Sequence, residues 1–116
     1  MHNLYAYKAT VLDVYDGDTI RLKIDLGFGI VLENESVRLF GINTPELRGE
    51  EREDGLVSRD RLRELILGKE VTLITIKDSK GKYGRYLGTI YLEVDDELID
   101  INQQLITEGL AEPYLV

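Results

Sequence analysis

YAYKATVLDVYDGDTIRLKI, residues 5–24, divides into two runs rich in Val, Ile, Leu, Thr and Tyr, separated by Asp16, Gly17 and Asp18. Residues 5–15 and 20–24 have the composition of strands. The Asp-Gly between them is a short turn signal, because glycine accepts backbone conformations closed to other residues and aspartate hydrogen-bonds forward onto its own main chain. This stretch predicts a β-hairpin. A second break follows at Gly27 and Gly29, around Phe28. Residues 30–42 then return to extended character, with Val37 and Leu39 alternating against Arg38 and Phe40. Asn43, Thr44 and Pro45 end that strand, since proline lacks an amide hydrogen and restricts the residue before it.

Outward from this start, residues 46–54 read as a charged loop and residues 55–67 as a helix. Leu62, Leu65 and Ile66 share one helical face, and Gly55 and Ser58 lie earlier on it, allowing close approach to a sheet. Arg59, Arg61 and Arg63 fall mostly on the solvent sides, and Gly68 is placed to cap the C-terminus. Residues 71–76 and 87–94 are strand-like, joined by a polar stretch at 77–86, and Asp95 and Asp96 turn the chain again. Asp100 followed by Gln103 resembles a capping box opening a helix at 101–108, closed by Gly109. Tyr5, Tyr7, Tyr15 and Tyr91 are expected to pack on the sheet. About five strands around two short helices predict an α+β, mainly β, fold: a small five-stranded OB-type antiparallel barrel with two or three helices packed on it. The length suits a single domain over residues 1–116.

Composition narrows the chemistry. With 43% hydrophobic and 31% charged residues of mixed sign, the chain can bury a core and is not of the disordered class. Zero cysteines exclude disulfides, thiol nucleophiles and zinc ribbons, and the single histidine, His2, excludes a Ser-His-Asp triad deep in the fold. No apolar run has membrane-spanning length, and the first ten residues lack the pattern of a signal peptide, so a cytoplasmic location without membrane partners is expected. Chemistry is left to carboxylates, guanidinium groups, hydroxyls and a hard metal ion.

Three segments carry polar groups that packing does not require: residues 16–19, 38–46 and 80–85. Singly, each has a plain reading. Asp16-Gly17-Asp18 makes a turn, Arg38 on a strand pairs with Glu46 or Glu33 for about 0–1 kcal/mol if exposed, and the lysine-rich glycine stretch makes a soluble connection. Together, DGDT at 16–19, VRLFGINTPE at 37–46, KYGR at 82–85 and Gly109-Leu110-Ala111 resemble the staphylococcal nuclease (thermonuclease-like) family in order and spacing, from about residue 8 to residue 111.

The resemblance implies a five-stranded OB-type barrel and calcium-dependent hydrolysis of phosphodiester bonds in DNA and RNA. It implies Asp18 as a direct Ca2+ ligand, Asn43 and Thr44 at the remaining metal positions (Thr44 through its main-chain carbonyl), and Arg38 and Arg85 on phosphate. It further implies Glu46 as the carboxylate that activates or orients water, with Lys82 and Tyr83 contacting a nucleotide phosphate. Tyr114 matches a nucleotide-contacting tyrosine or else packs at the C-terminus. Residue chemistry agrees: calcium takes about six to eight oxygen ligands, and guanidinium forks match phosphate oxygens bidentately. Asn43 stands where the best-known family member has aspartate, so weaker calcium binding is expected. The net charge of −8 runs against polyanion binding. The cations Lys77, Lys80, Lys82 and Arg85 cluster locally, however, while Glu50, Glu51, Glu53 and Asp54 form an acidic rim expected to repel duplexes. Single-stranded substrates, with Tyr83 and Tyr86 as stacking surfaces, and a monomer follow as expectations. The alternative is a barrel that keeps the family fold as a nucleic-acid or protein binding module without activity.

Overall fold

The computed structural model describes residues 5–76 and 84–114. Strands β1 (Ala6–Asp16), β2 (Thr19–Gly27) and β3 (Ile30–Leu39) form an antiparallel meander whose alternation follows the sequence. In β2, Ile20, Leu22 and Ile24 are buried while Arg21 and Lys23 face solvent. β5 (Glu70–Thr75) pairs with β1, and β6 (Tyr86–Val94) pairs with β5. β3 then meets β6 and closes a five-stranded barrel. That closing ladder, Val37 opposite Tyr86 through Leu39 opposite Gly88, is parallel, so the barrel is not antiparallel throughout. An odd ring of strands cannot alternate direction all the way round, and the mismatch falls at this seam.

Two further departures bear on the site. The strand expected to run to residue 42 ends at Leu39, because Gly41, at φ 80°, turns the chain. Ile42–Asn43 becomes a separate strand, β4, paired with β8 (Glu112–Pro113) near the C-terminus. Beyond β6, Asp95 and Asp96 both adopt left-handed conformations, at φ 52° and 66°, and return the chain as β7 (Glu97–Asp100).

Helix α1 (Arg52–Ile66) starts three residues before the expected position, behind a single 3-10 turn at Gly49–Glu51. Glu53 and Asp54 occupy its first turn, where the positive end of the helix dipole favours acids, so part of the charged stretch is helix and not loop. Gly55, Ser58, Leu62 and Ile66 are its buried face. A Cβ at Gly55 would lie 2.4 Å from the Glu46 carbonyl oxygen, so the close approach is to the loop after β4 and not to the sheet. Arg63 is not on a wet side either: its Nε and Nη2 donate to the Val14 carbonyl at 3.2 and 3.0 Å, beside a bulge in β1. Arg61 grips Glu108 through two hydrogen bonds of 2.7 and 3.0 Å and ties α1 to the end of α2 (Ile101–Thr107). The Asp100 carboxylate accepts from the Gln103 amide at 3.0 Å, capping α2 as its sequence predicts.

The barrel interior (Val11, Val14, Ile20, Leu22, Val37, Leu39, Leu73 and Ile90) is continuous with Leu62 and Ile66 of α1 and with Ile101 and Leu105 of α2. Of the tyrosines expected on the sheet, Tyr7 packs against this core and Tyr91 is half-buried. Tyr15 is instead 65% exposed, and Tyr5 is also exposed. No helix among the described residues is long and apolar enough to cross a membrane.

Candidate active site

The turn between β1 and β2 delivers Asp18 to the end of the barrel where β3 leaves it. Gly17 makes this possible: a Cβ there would fall 2.7 Å from the Thr44 side chain and 2.9 Å from Ser58 Cβ, so the turn seats against the chain after β4 and against α1. The Asp16 carboxylate accepts the Asp18 amide at 3.0 Å and fixes the turn. Asp18 is buried, and both its oxygens are engaged. Oδ1 accepts from the Thr19 hydroxyl at 3.3 Å, and Oδ2 accepts from the Thr44 amide at 3.1 Å. The Asp18 carbonyl accepts from the Leu39 amide at 2.8 Å, locking the turn to the end of β3.

Arg38 projects outward from β3 into this corner. Its Nη1 lies 3.4 Å from Asp18 Oδ2, an ion pair in place of the exposed pairing with Glu46 or Glu33 that the sequence allowed. Nη2 donates to the Ile42 carbonyl at 3.4 Å and to Asn43 Oδ1 at 3.3 Å. Nη1 is buried and not aligned on any hydrogen-bond acceptor. The guanidinium also sits over the Tyr114 ring, 5.6 Å from its centroid, a cation–π distance. Tyr114 reaches that position because β8 pairs with β4 and its own amide donates to the Gly41 carbonyl at 2.8 Å. Terminal packing and exposure of the ring therefore coexist in one residue.

Arg85 joins through Thr19: its Nη1 is 3.3 Å from the Thr19 hydroxyl that contacts Asp18. Glu46 is held by its main chain alone, with its amide donating to Glu51 Oε2 at 3.1 Å and its carbonyl pressed against Gly55. Its side chain is exposed and makes no hydrogen bond or ion pair to the cluster among the described residues. Glu51 thus fixes the loop rather than serving only as acidic rim. Lys82 and Tyr83, together with Lys77 and Lys80, lie outside the described residues.

A cation in this corner could draw on oxygen donors alone: the Asp18 carboxylate, the Thr44 carbonyl, and the Asn43 amide oxygen that now accepts from Arg38. Among the described residues no three acidic or histidine side chains converge. The neighbouring acid responds to this setting. Burial, followed by the hydrogen bond to Asp18 and its charge, pushes the Asp16 carboxyl up to about 6 against opposing backbone hydrogen bonds from Asp18 and Thr19. A cation here would relieve that crowding, and such a donor set suits a hard ion.

Sequence reasoning missed Asn102, a buried amide with no charge or motif to announce it. Its Oδ1 accepts from the Ile90 amide at 3.2 Å, and its Nδ2 donates to the Phe40 carbonyl at 2.9 Å and the Gly88 carbonyl at 3.2 Å. It fastens α2 to β6 and to the turn that carries β4, and so positions Asn43 from behind.

A family model described as staphylococcal nuclease homologue matches residues 36–116. The match includes Arg38, Asn43, Thr44, Glu46, Arg85 and Tyr114, and begins after Asp18. The chain is 25% identical to the uncharacterized protein MJ1439 of Methanocaldococcus jannaschii, an alignment covering 94% of this chain and 60% of that protein. It is 28% identical to endonuclease YhcR of Bacillus subtilis over 95% of this chain, which spans only 9% of that enzyme.

Proposed function

The chain belongs to the staphylococcal nuclease homologue family, and on that premise we propose that it is a calcium-dependent nuclease hydrolysing phosphodiester bonds in DNA and RNA, with a preference for single strands. One observation carries the reading: Arg38 pairs with the Asp18 carboxylate at 3.4 Å, its Nη1 buried but not aligned on that or any other acceptor. The pair leaves donors of the guanidinium without a well-aligned partner, and phosphate oxygens suit its planar fork. Asp18, Asn43 and the Thr44 carbonyl would hold calcium beside that phosphate. When bound, the ion supplies positive charge that polarises a phosphoryl oxygen.

The chain's own residues supply the remainder. Arg38, stiffened by Tyr114 and the Ile42 carbonyl, binds one phosphate oxygen and stabilises the charge that builds as phosphorus gains a fifth oxygen neighbour. Arg85, oriented by Thr19, supplies a second guanidinium to the phosphate. Glu46, on a loop clamped by Gly55 and Glu51, accepts the proton of the attacking water or orients it. The acids Glu53 and Asp54, in the first turn of α1, oppose the dense charge of a duplex and favour unpaired strands.

Cleavage of a fluorescent single-stranded DNA in calcium and in excess chelator tests this, with Glu46→Gln and Arg38→Ala proteins checked for folding by circular dichroism. Calcium-dependent cleavage that collapses in both folded variants is the expected result. Binding without cleavage in calcium, magnesium and manganese alike would make the barrel a recognition module, the reading favoured by the charge-poor Asn43 position.

A further inference from the structure

Beside Arg85 a groove of about 510 Å3 runs over the outer face of β1, β2 and β3, lined by Tyr15, Thr19, Arg21, Asn34 and Ser36. It continues the candidate site. Val37 and Leu39 point into the barrel, so Arg38 and Ser36 share the outer face of β3; on β2, Thr19 pairs with Arg38 and Arg21 pairs with Ser36. One step of two residues, about 7 Å, therefore leads from the Thr19 and Arg38 pair to the Arg21 and Ser36 pair. Tyr15 and Arg21 stand out in this face. Tyr15 is 65% exposed although it sits within β1, and Arg21 is exposed and forms no ion pair among the described residues. Core packing explains neither.

We infer that this face is a binding path for an unpaired polynucleotide strand that extends past the reacting phosphate, with Tyr15 stacking a base and Arg21 holding a phosphate. The nature of the ligand rests on the nuclease reading; the location rests on the groove. Asn34 and Ser36 add neutral hydrogen-bonding groups along it, and the outer face of strands two and three is where OB-type barrels carry oligomers. Asp13, opposite Arg21 in the β1–β2 ladder, and Glu35 lower the net charge of the groove. Charge alone therefore gives little attraction, and an aromatic face open to solvent selects strands whose bases are free to stack.

The test is fluorescence anisotropy in excess chelator, which keeps binding apart from cleavage, with oligothymidylates of about four and about twelve nucleotides. The parent should prefer the longer strand. Tyr15→Ala should weaken the longer strand about tenfold and leave the shorter one unchanged, while Tyr15→Phe, which keeps the ring, should match the parent. Arg21→Ala should lower the log–log salt slope for the longer strand by about 0.7. A parent that does not distinguish the lengths, or that binds neither, overturns the path, as do variants that weaken both lengths equally. Hydrolysis of a small aryl phosphodiester, followed in parallel with calcium, reports on the nuclease reading alone. If that fails while the length-dependent effects persist, the path stands and the activity does not.

Discussion

Replacing Asn102 by alanine tests whether one buried amide holds α2, the barrel seam and the site-bearing turn together. Its side chain makes three hydrogen bonds, to the Ile90 amide and to the Phe40 and Gly88 carbonyls. The Gly88 carbonyl keeps a second donor, the Phe40 amide at 2.8 Å. Truncation therefore orphans two groups, the Ile90 amide and the Phe40 carbonyl. At about 1–3 kcal/mol for each, and about 1 kcal/mol for the cavity, the loss centres near 5 kcal/mol, a large part of a stability of about 5–15 kcal/mol. Urea unfolding followed by circular dichroism, or by the fluorescence of the seven tyrosines in a chain without tryptophan, should show a midpoint lowered by about 2.5 M for a slope of about 2 kcal/mol/M. Asn102→Asp keeps the acceptor for Ile90 but sets a carboxylate against two carbonyls, so it should be worse than alanine at neutral pH and should recover in acid. A loss below about 1 kcal/mol in both variants would refute the keystone role of Asn102.

Gly55→Ala places a Cβ 2.4 Å from the Glu46 carbonyl and should push that loop by about 1 Å. Cleavage should fall about 100-fold, while the helix gain of about 1 kcal/mol offsets much of the 1–3 kcal/mol of overpacking; unchanged turnover would remove Glu46 from the chemistry. Asp16, held near 6 against an ordinary 3.8, binds its proton more tightly folded than unfolded. It therefore destabilises the cation-free protein above pH 6, and the penalty fades as pH falls from 6 towards 3.8. Asp16→Asn keeps the acceptor for the Asp18 amide and should stabilise by about 1 kcal/mol at pH 7 after screening, flattening the urea midpoint across that window; a midpoint unchanged from the parent would contradict it. Phe28 is fully exposed and left-handed at φ 56°. Phe28→Asn should therefore gain about 1 kcal/mol, read as a melting temperature raised by about 4 °C; a lower melting temperature would show that the ring has a folded-state contact. Asn43→Asp should tighten calcium binding in calorimetry and weaken that of a nucleoside diphosphate in chelator, and a gain in both would show that cation and phosphate do not compete for the charge at position 43.

What was legible in the sequence was local. Asp16-Gly17-Asp18, Asp95-Asp96 and the Asp100–Gln103 cap each specify their turn or helix start within a few residues, and each formed as read. The remainder depended on partners distant along the chain. Two-residue strands such as Ile42–Asn43 have no periodicity of their own and exist because Glu112–Pro113 lies beside them. Arg63 reads as a solvent residue until the Val14 carbonyl at the β1 bulge needs a donor. The start of α1 was hidden because Glu53 and Asp54 resemble a loop by composition yet suit a helix N-terminus by electrostatics. In the site, the Asp18, Arg38, Asn43 and Thr44 grouping follows the motifs, whereas the Tyr114 stack and the exposed Tyr15 required the fold.

The two features most at odds with a nuclease, the asparagine at 43 and the net charge of −8, have different weight once placed. Asn43 Oδ1 faces Arg38 Nη2 at 3.3 Å, on the side away from the Asp18 pair. An aspartate there would flank the guanidinium with two carboxylates and compete with phosphate for it, while strengthening the hold on a cation. The amide reverses that balance: one formal charge fewer for calcium, and a less neutralised arginine for substrate. A corner with one carboxylate then depends on the incoming phosphate to complete the charge around the ion, so cation and substrate should bind as a pair. The acidity reaches this corner from one side. Glu51, Asp54 and Glu112 line a cleft together with Asn43 and Thr44, while Arg21 and Arg85 line a separate groove. The β4 side therefore repels a strand more strongly than the groove, where Arg21 and Arg85 offset Asp13 and Glu35, and an approaching strand is turned towards the groove.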